Sequence, residues 1–299
     1  MVIIDVHIVP ELKEKCRLVD YAIGIFPQII TKNSVKKAIK REELLHNNET
    51  ATTGKWVLQG DRISLVDVGH QSPKKYNMPI EIVFEDDHLG IVRKPSGLVV
   101  SGNQFRTLEN ALVGAFRDSG KKDVLQWARP VHRIDAATSG LVLFAKTFSA
   151  QIKLGRLFQN REIVKTYIAV VKGKVKNDML LSEPINGQSA LSELVVLKTV
   201  HSINNQYITL VKLTPQTGRT HQLRIHCSGC GHPIIGDTLY GEIGKTLLHK
   251  GLFLAAVELK FDHPLSNREI VISIDAPAKF YKLLEREERR WKKYNSGSK

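Results

Sequence analysis

The chain has 299 residues, of which 42% are hydrophobic and 25% are charged. This length and composition are typical of a globular protein with one large domain or two smaller ones, and they exclude a disordered or fibrous protein. The formal net charge of +14 favours a polyanionic partner. Nucleic acid is the usual partner of this kind, and a generically basic protein is the alternative.

No apolar run approaches the roughly 20 residues that span a bilayer. The apolar residues 1–10 contain Asp5 and His7 and have no basic lead, so they are a poor match to a secretory signal. Cysteine occurs three times, which is an odd number and too few for a disulfide framework. We therefore expect a cytoplasmic protein that does not contact a membrane.

The chain divides at a polar linker, residues 69–78, into two predicted domains. The first, residues 13–68, is a small α/β module in which a helical pattern of apolar residues precedes a strand pattern. A second short helix after a cap at Asn33 or Ser34 would expose a lysine face. The lysines of this face are Lys36, Lys37 and Lys40. Such a face either binds RNA phosphates or is only the solvated side of a helix.

The second domain, residues 79–282, consists of short β-rich runs broken by glycine and proline, with helical stretches near 107–117 and 148–160. The expected strands cover residues 80–84, 90–92, 140–145, 166–171, 207–213 and 270–274. Because these runs lack regular β-α-β alternation, we expect a mixed, mostly antiparallel sheet of the α+β class. Residues 283–299 are expected to form a charged C-terminal tail, which is helical from Glu285 and frays at its end.

The densest cluster of chemically active residues is residues 129–140, RPVHRIDAATSG. Asp135 lies there among two arginines, a histidine and two hydroxyl groups, and such neighbours would hold its carboxyl group ionised. Ser139 and Gly140 would turn the chain so that the loop projects from the strand that follows. The competing interpretation is a structural aspartate that caps the turn. This segment alone leaves the two interpretations even.

Two further clusters follow. Residues 214–226, TPQTGRTHQLRIH, place Arg219 next to a glycine and between two threonines, where it can reach a carboxylate with a two-pronged contact. This segment is also a candidate first helical turn, whose free amides favour an anion. In the strand at 165–171, Tyr167 presents a phenol on one face. A core position is the more common role for such a tyrosine.

These clusters, in this order, resemble the RluA-type family of pseudouridine synthases. The resemblance spans about residues 77–280 and continues with EDD at 85–87, KPSG at 94–97, GHPIIGDTLYG at 231–241, LAA at 254–256 and DHP at 262–264. Residues 101–104, SGNQ, depart from the family's His-Pro continuation. The first domain resembles more loosely the S-four-like RNA-binding domain that often precedes this catalytic domain.

The resemblance implies an isomerase that converts uridine to pseudouridine in a structured RNA, either ribosomal or transfer RNA, as a monomer without cofactor or metal. Asp135 would be the catalytic aspartate and Arg219 the arginine that ion-pairs with it. Tyr167 would pack against the target base and is a candidate to take a proton. Arg133 is similar to the residue that helps displace the target nucleotide. Further RNA or base contacts are expected from His132, Leu223 and Lys94.

The reaction detaches uracil from carbon 1′ of ribose, rotates the base and rejoins it through its carbon 5. No atoms enter or leave, so neither a redox cofactor nor an energy source is needed. Asp135 either attacks carbon 1′, as carboxylates do in glycoside hydrolysis, or removes a sugar proton. The target uridine must first be flipped out of its stack. The sequence leaves both chemical routes open.

A zinc site is one alternative, since a histidine and cysteine cluster has a two-residue gap between its cysteines. The cluster consists of His226, Cys227, Cys230 and His232. Structural zinc sites generally draw their two ligand pairs from separated segments, and the chain has no second pair of cysteines. We therefore expect no metal here.

A hydrolytic triad of Ser139, His132 and Asp135 is a second alternative, but these residues lack the G-x-S-x-G pattern of a nucleophile elbow. The rival from a different class is an RNA-binding or ribosome-assembly factor that keeps the fold with slight activity. The presence of Asp135, Tyr167 and Arg219 argues against it.

Overall fold

The structure is a computed structural model that describes residues 2–12, 14–26, 29, 31–68, 73–241 and 250–296. The chain forms two compact units, Met1–Pro73 and Lys74–Lys299. The division between them falls inside the segment 69–78, which the sequence marks as a linker. Among the helices of the described residues, none is both long enough and apolar enough to cross a membrane.

The first unit is a four-stranded antiparallel sheet with two helices and a two-stranded ribbon. Its elements are β1 (Val2–Ile8), β2 (Cys16–Arg17), α1 (Leu18–Tyr21), α2 (Lys32–Lys40), β3 (Leu44–His46), β4 (Glu49–Thr50), β5 (Trp56–Val57) and β6 (Arg62–Asp67). The strand order is β1-β6-β3-β4, and β2 pairs with β5. Because β1 pairs with β6 from Val2 to Ile8, the predicted domain start at residue 13 is wrong. The partner of β1 lies far along the chain, where a local sequence pattern cannot reveal it.

Helix α2 is capped by Thr31, two or three residues before the predicted caps. The Thr31 hydroxyl accepts a hydrogen bond from the Ser34 amide at 3.1 Å, and the Ser34 hydroxyl accepts one from the Thr31 amide at 2.9 Å. This reciprocal pair is a capping box, which satisfies two amides that the first turn would otherwise leave free. The helix buries Val35, Ala38 and Ile39. Its opposite face exposes Lys36, Lys37 and Lys40.

The second unit is built on a ten-stranded sheet. Its elements are β7 (Glu81–Glu85), β8 (Leu89–Lys94), α3 (Leu108–Ala111), β9 (Val124–Pro130), β10 (Ser139–Thr147), α4 (Phe148–Gln159), β11 (Val164–Lys172), β12 (Met179–Leu181), β13 (Ser192–Ser202), β14 (Gln206–Pro215), α5 (Gln222–Gly229), β15 (Leu254–Asp262), β16 (Glu269–Ser273) and α6 (Ala278–Ser296). The strand order is β12-β13-β14-β11-β15-β10-β8-β7, with β16 on β15 and β9 on β10. The pairing of β10 with β15 is parallel and the others are antiparallel. The predicted α+β class is confirmed.

Sheet pairing brings distant segments together at the start of β10. Gly140 pairs with Ala256 of β15, and Ala256 pairs in turn with Tyr167 of β11. Gly140 has a φ of +115°, and a Cβ at this position would overlap the backbone of Ala256. Both the positive φ and the lack of space for a Cβ therefore require glycine at this position. The loop that carries Asp135 consequently ends two strands away from Tyr167.

The C-terminal helix α6 is part of the second unit and is not the separate tail predicted at 283–299. It buries Phe280, Leu283, Leu284 and Glu287, whose spacing is that of one face of an amphipathic helix. Ser202 of β13 donates a hydrogen bond to Glu287 at 2.9 Å. Most other residues of the helix are charged or polar, so the sequence pattern did not indicate this narrow buried face.

Candidate active site

A pocket of about 540 Å³ opens between the loop before β10, strand β11 and the first turn of α5. Its volume lies within the range usual for small-ligand sites. Three residues singled out in the sequence, Asp135, Tyr167 and Arg219, line it together. The apolar part of the wall includes Leu223 and Leu254.

Lys94 stabilises the Asp135 loop through hydrogen bonds to backbone carbonyl groups. This lysine is fully buried, and its ammonium group donates to the carbonyl oxygens of Pro95 at 3.0 Å, Leu98 at 2.7 Å and Ala136 at 2.9 Å. Burial lowers the pKa of Lys94 to about 8, although the charge of Asp135 acts in the opposite direction. The expectation that Lys94 contacts RNA is therefore wrong, because its three donors are used within the protein.

The carboxylate of Asp135 is held by helix α5 and the residue before it. Its Oδ2 lies 3.5 Å from Nη1 of Arg224, and its Oδ1 lies 3.8 Å from Nε2 of His221. One quarter of the side chain stays exposed to the pocket. These side-chain contacts, rather than a turn-capping role, account for the position of the carboxyl group within the described residues.

The arginine that pairs with Asp135 is Arg224, so the assignment of this role to Arg219 is wrong. Arg219 lies at the pocket wall, but its Nε donates to the carbonyl oxygen of Ser189 at 3.1 Å. The two arginines are five positions apart in one motif. Only Arg224 lies within the helix α5, on the turn that faces Asp135.

Arg224 is oriented by a second carboxylate. Its Nε and Nη2 donate to the two oxygens of Asp237 at 2.8 and 2.7 Å, a two-pronged contact that fixes the guanidinium plane. Asp237 also accepts from the backbone amides of Leu239 and Tyr240. Burial acts to raise the pKa of Asp237, but the Arg224 hydrogen bond and these amides together hold it below its usual range.

His221 completes the arrangement from the position that precedes α5. Its backbone is left-handed, with φ of 56°, which is uncommon for a residue with a side chain and is found at functional sites. Its Nδ1 lies 3.0 Å from the hydroxyl of Tyr240, while Nε2 faces Asp135. We call the five residues Asp135, His221, Arg224, Asp237 and Tyr240 the carboxylate network.

Tyr167 presents its ring to the same pocket from β11. Burial, and then the negative charge of Asp135, raise the pKa of its hydroxyl above the usual range. The side chain is therefore a neutral phenol at neutral pH. A neutral phenol can pack against a flat base and donate a hydrogen bond, whereas its resting form is a weak proton acceptor.

His132 is a structural residue of the pocket floor. Its Nε2 accepts a hydrogen bond from the Leu143 amide at 3.0 Å, and its ring stacks on Phe158 at 4.7 Å. Burial and the nearby charge of Lys165 lower its pKa to about 3, so the ring is neutral. Because Nε2 is occupied by the backbone, His132 does not serve as the base of a triad with Ser139.

The other two residues predicted to contact RNA or the target base are Arg133 and Leu223. Arg133 is exposed at the pocket, and Leu223 is buried in its wall at the first turn of α5. Both positions are open to a ligand in the pocket. Their contacts with RNA stay predictions.

The cysteine and histidine cluster is used in ordinary packing. His226 contacts the Ser192 hydroxyl and the Glu183 carbonyl, and His232 contacts the Lys172 carbonyl at 2.9 Å. Cys227 is buried. Within the ranges that the structure describes, no group of three or more His, Cys, Asp or Glu side chains is placed to hold a metal ion.

Four members of the carboxylate network were not predicted from the sequence as site residues: His221, Arg224, Asp237 and Tyr240. Arg224 stands between Leu223 and Ile225 on a helix with an apolar face, and an arginine at such a place needs a carboxylate when it is buried. That carboxylate is Asp237, in the segment 231–241. The sequence signal was therefore present, but it gave no means of pairing these two residues with each other.

Comparisons with known proteins bear on the family of this chain. Residues 88–229 match the RNA pseudouridylate synthase family. The chain is 33% identical to an uncharacterized RNA pseudouridine synthase of Aquifex aeolicus, over 89% of this chain and 92% of the relative. It is 36% identical to the dual-specificity RNA pseudouridine synthase RluA of Haemophilus influenzae, over 67% of this chain and 96% of the relative.

A solved structure shares the fold as well. The human RNA pseudouridylate synthase domain containing 1 superposes with a TM-score of 0.57 and is 26% identical, covering 67% of this chain and 84% of its own. The alignments with these relatives cover 89% and 67% of this chain, well beyond the segments that line the pocket. The chain therefore belongs to the RluA-type family of RNA pseudouridine synthases, isomerases that convert uridine to pseudouridine in RNA.

Proposed function

We propose that Asp135 carries out the isomerisation on a uridine that is flipped out of a structured RNA into this pocket. The observation that supports the proposal is the geometry around its carboxylate. Arg224 donates to one oxygen at 3.5 Å, and Nε2 of His221 lies 3.8 Å from the other. Asp237 orients Arg224, and a quarter of the Asp135 side chain remains open to the pocket. Fixed donors of this kind stabilise charge without reorganising during a reaction.

In the proposed reaction, the bond between carbon 1′ and N1 of the uridine breaks and a bond between carbon 1′ and carbon 5 forms. Asp135 either attacks carbon 1′ or removes a proton from the sugar. The proton on carbon 5 leaves at the end and N1 gains one, so the overall composition is unchanged. Tyr167 packs against the detached uracil as a neutral phenol, and the apolar wall at Leu223 and Leu254 keeps water from the sugar.

The substrate we propose is a ribosomal or transfer RNA. The name of one relative, a ribosomal large subunit pseudouridine synthase D of Vibrio cholerae, supports ribosomal RNA. Transfer RNA is the second class that we propose. Comparing the pseudouridines of both RNA classes in cells with and without this protein identifies the target. A monomer in the cytoplasm is the form we expect, and light scattering of the purified protein tests the monomer.

We infer that the first unit binds the RNA backbone through the exposed face of α2. Three lysines, Lys36, Lys37 and Lys40, project from this face, while the opposite face is buried. Within the described residues, none of the three forms an ion pair, so the face is free to neutralise phosphates. The salt dependence of RNA binding is the measurement that tests this role.

The central experiment is Asp135→Asn, which keeps the shape of the side chain and removes its charge. We expect conversion of uridine to fall by about a thousandfold or more, a loss typical of removing the reacting group, while RNA affinity stays close to wild type. Chromatographic analysis of nucleosides after incubation with RNA measures the conversion. Full conversion by the variant would overturn the role of Asp135. If the wild type binds RNA and converts none, the RNA-binding factor interpretation stands.

A further inference from the structure

A second part of the pocket wall is formed by the end of α4 and the start of β11. Arg161 and Lys165 line it there, and Arg133 of the Asp135 loop lines the same pocket. Lys165 and Tyr167 are two positions apart on β11, so their side chains leave the same face of the strand. The Lys165 ammonium lies 5.9 Å from the centre of the Phe158 ring. We call Arg133, Arg161 and Lys165 the cationic rim.

Within the part of the chain that the structure describes, the positive charge of the cationic rim is not paired with a carboxylate. Across the described ranges of the chain, none of these three side chains forms an ion pair with an aspartate or a glutamate. Burial, and then the charge of Arg161, lower the pKa of Lys165, and Lys165 in turn contributes to keeping His132 neutral. Cations brought this close without a carboxylate repel one another, and an anion at the rim would remove that repulsion.

Arg161 also occupies a backbone position that favours glycine. Asn160 caps α4, the Arg161 amide bonds to the Phe158 carbonyl at 3.2 Å, and the Glu162 amide bonds to the Leu157 carbonyl at 2.9 Å. This is a Schellman motif, whose next residue after the cap is left-handed and usually glycine. Arg161 takes that conformation, with φ of 64°. The helix end alone gives no reason for an arginine at this place.

We propose that the cationic rim is a phosphate subsite, which binds a phosphodiester of the RNA next to the flipped uridine. Guanidinium groups match phosphate oxygens with two-pronged contacts, and a half-buried ammonium adds a point charge. The subsite would hold the backbone of the target nucleotide while carbon 1′ faces Asp135. It would also offset the repulsion between the Asp135 carboxylate and that phosphate. This inference rests on the proposed function, because it requires the target nucleotide to enter this pocket.

The first test is Arg161→Gly, which removes the side chain and supplies the residue that the backbone favours. We expect the unfolding temperature to stay the same or rise, because the left-handed strain is relieved. We expect kcat/KM on RNA from cells lacking this protein to fall by about tenfold, as for a lost charged hydrogen bond. The slope of log kcat/KM against log salt concentration should fall by about one. Arg156→Ala removes an exposed cation of the same helix outside the pocket, so it serves as the matched control.

A purely structural role for Arg161 would give the opposite pattern, with a lower unfolding temperature. Equal kcat/KM and equal salt slopes for Arg161→Gly and Arg156→Ala would overturn the phosphate subsite. A wild type that converts no uridine would instead count against the proposed function, so the two failures are distinguishable.

The second test replaces the phosphate. A synthetic RNA around the mapped uridine carries a neutral methylphosphonate on the 5′ or the 3′ side, and kcat/KM is compared for wild type and Lys165→Met. Methionine keeps the apolar stem of the lysine. We expect one of the two linkages to reduce the wild-type value by about tenfold and to have much less effect on the variant. If each methylphosphonate linkage lowers kcat/KM by the same factor for wild type and for Lys165→Met, the rim does not bind that phosphate.

Discussion

Three residues of the carboxylate network, Asp135, His221 and Arg224, line the same pocket as the cationic rim. The two groups of residues differ in whether their charges are paired. In the network each charged group has a partner, from Asp135 through Arg224 to Asp237. In the rim the charge of Arg161 acts on Lys165, and neither side chain forms an ion pair with any described carboxylate. A network whose charges are satisfied holds its geometry without a ligand. A set of cations whose charges are unsatisfied is suited to binding an anion.

The largest effect is expected from breaking the network at Arg224. Arg224→Gln leaves Asp237 buried without its cation, which should destabilise the protein by about 3 kcal/mol. Turnover should fall by a hundredfold or more, because Asp135 loses its oriented donor. The matched control is Arg219→Gln, which removes the contact with the Ser189 carbonyl and should cost less than about 1 kcal/mol. Chemical denaturation and kcat separate the two variants. A larger loss of turnover for Arg219→Gln would restore the assignment made from the sequence.

The lysines sharpen the comparison, because they fall into two classes. Lys94→Met removes three donors from carbonyl groups and should lower the free energy of unfolding by about 2 to 3 kcal/mol. The slope of log RNA affinity against log salt concentration should not change.

Replacing Lys36, Lys37 and Lys40 together by alanine should leave the free energy of unfolding within about 1 kcal/mol of the wild-type value. The slope of log RNA affinity against log salt concentration should fall by up to about three. Urea titration and binding at several salt concentrations give the two readouts. A triple variant with the wild-type slope would remove α2 from the RNA-binding surface.

The last prediction concerns pH and tests whether burial and the nearby charge of Lys165 keep His132 neutral. His132 has a folded-state pKa of about 3, lowered from 6.5, so the unfolded chain binds the proton more readily. Its contribution to stability is therefore complete above about pH 6.5 and is lost as the pH falls towards 3. The variant His132→Gln keeps an acceptor for the Leu143 amide and should lack this component. Denaturation midpoints from pH 7 to pH 4 should thus fall more steeply for wild type. If the denaturation midpoints of wild type and His132→Gln change with pH in parallel, His132 is not held neutral by its surroundings.

Much of the catalytic unit could be predicted from sequence. The strands predicted at 140–145, 166–171 and 207–213 all lie within observed strands, because these runs are apolar and bounded by glycine, proline and polar residues. The helix predicted near 107–117 is only Leu108–Ala111, and the extent of α6 in the core was missed. Both errors concern segments in which tertiary packing, rather than local preference, sets the helix length.

For the site, the sequence by itself determined the chemical inventory: an aspartate among basic residues at 129–140, a strand phenol at 167 and an arginine-rich turn at 219–224. Tertiary structure decided which arginine serves Asp135, because that choice depends on the turn at His221 and on the remote carboxylate of Asp237. It also decided that Lys94 is buried beneath the loop and that Arg161 and Lys165 share the pocket wall. The physical reason is that charges act through space. A sequence gives the identity of each charge, whereas only the fold gives the distances between them.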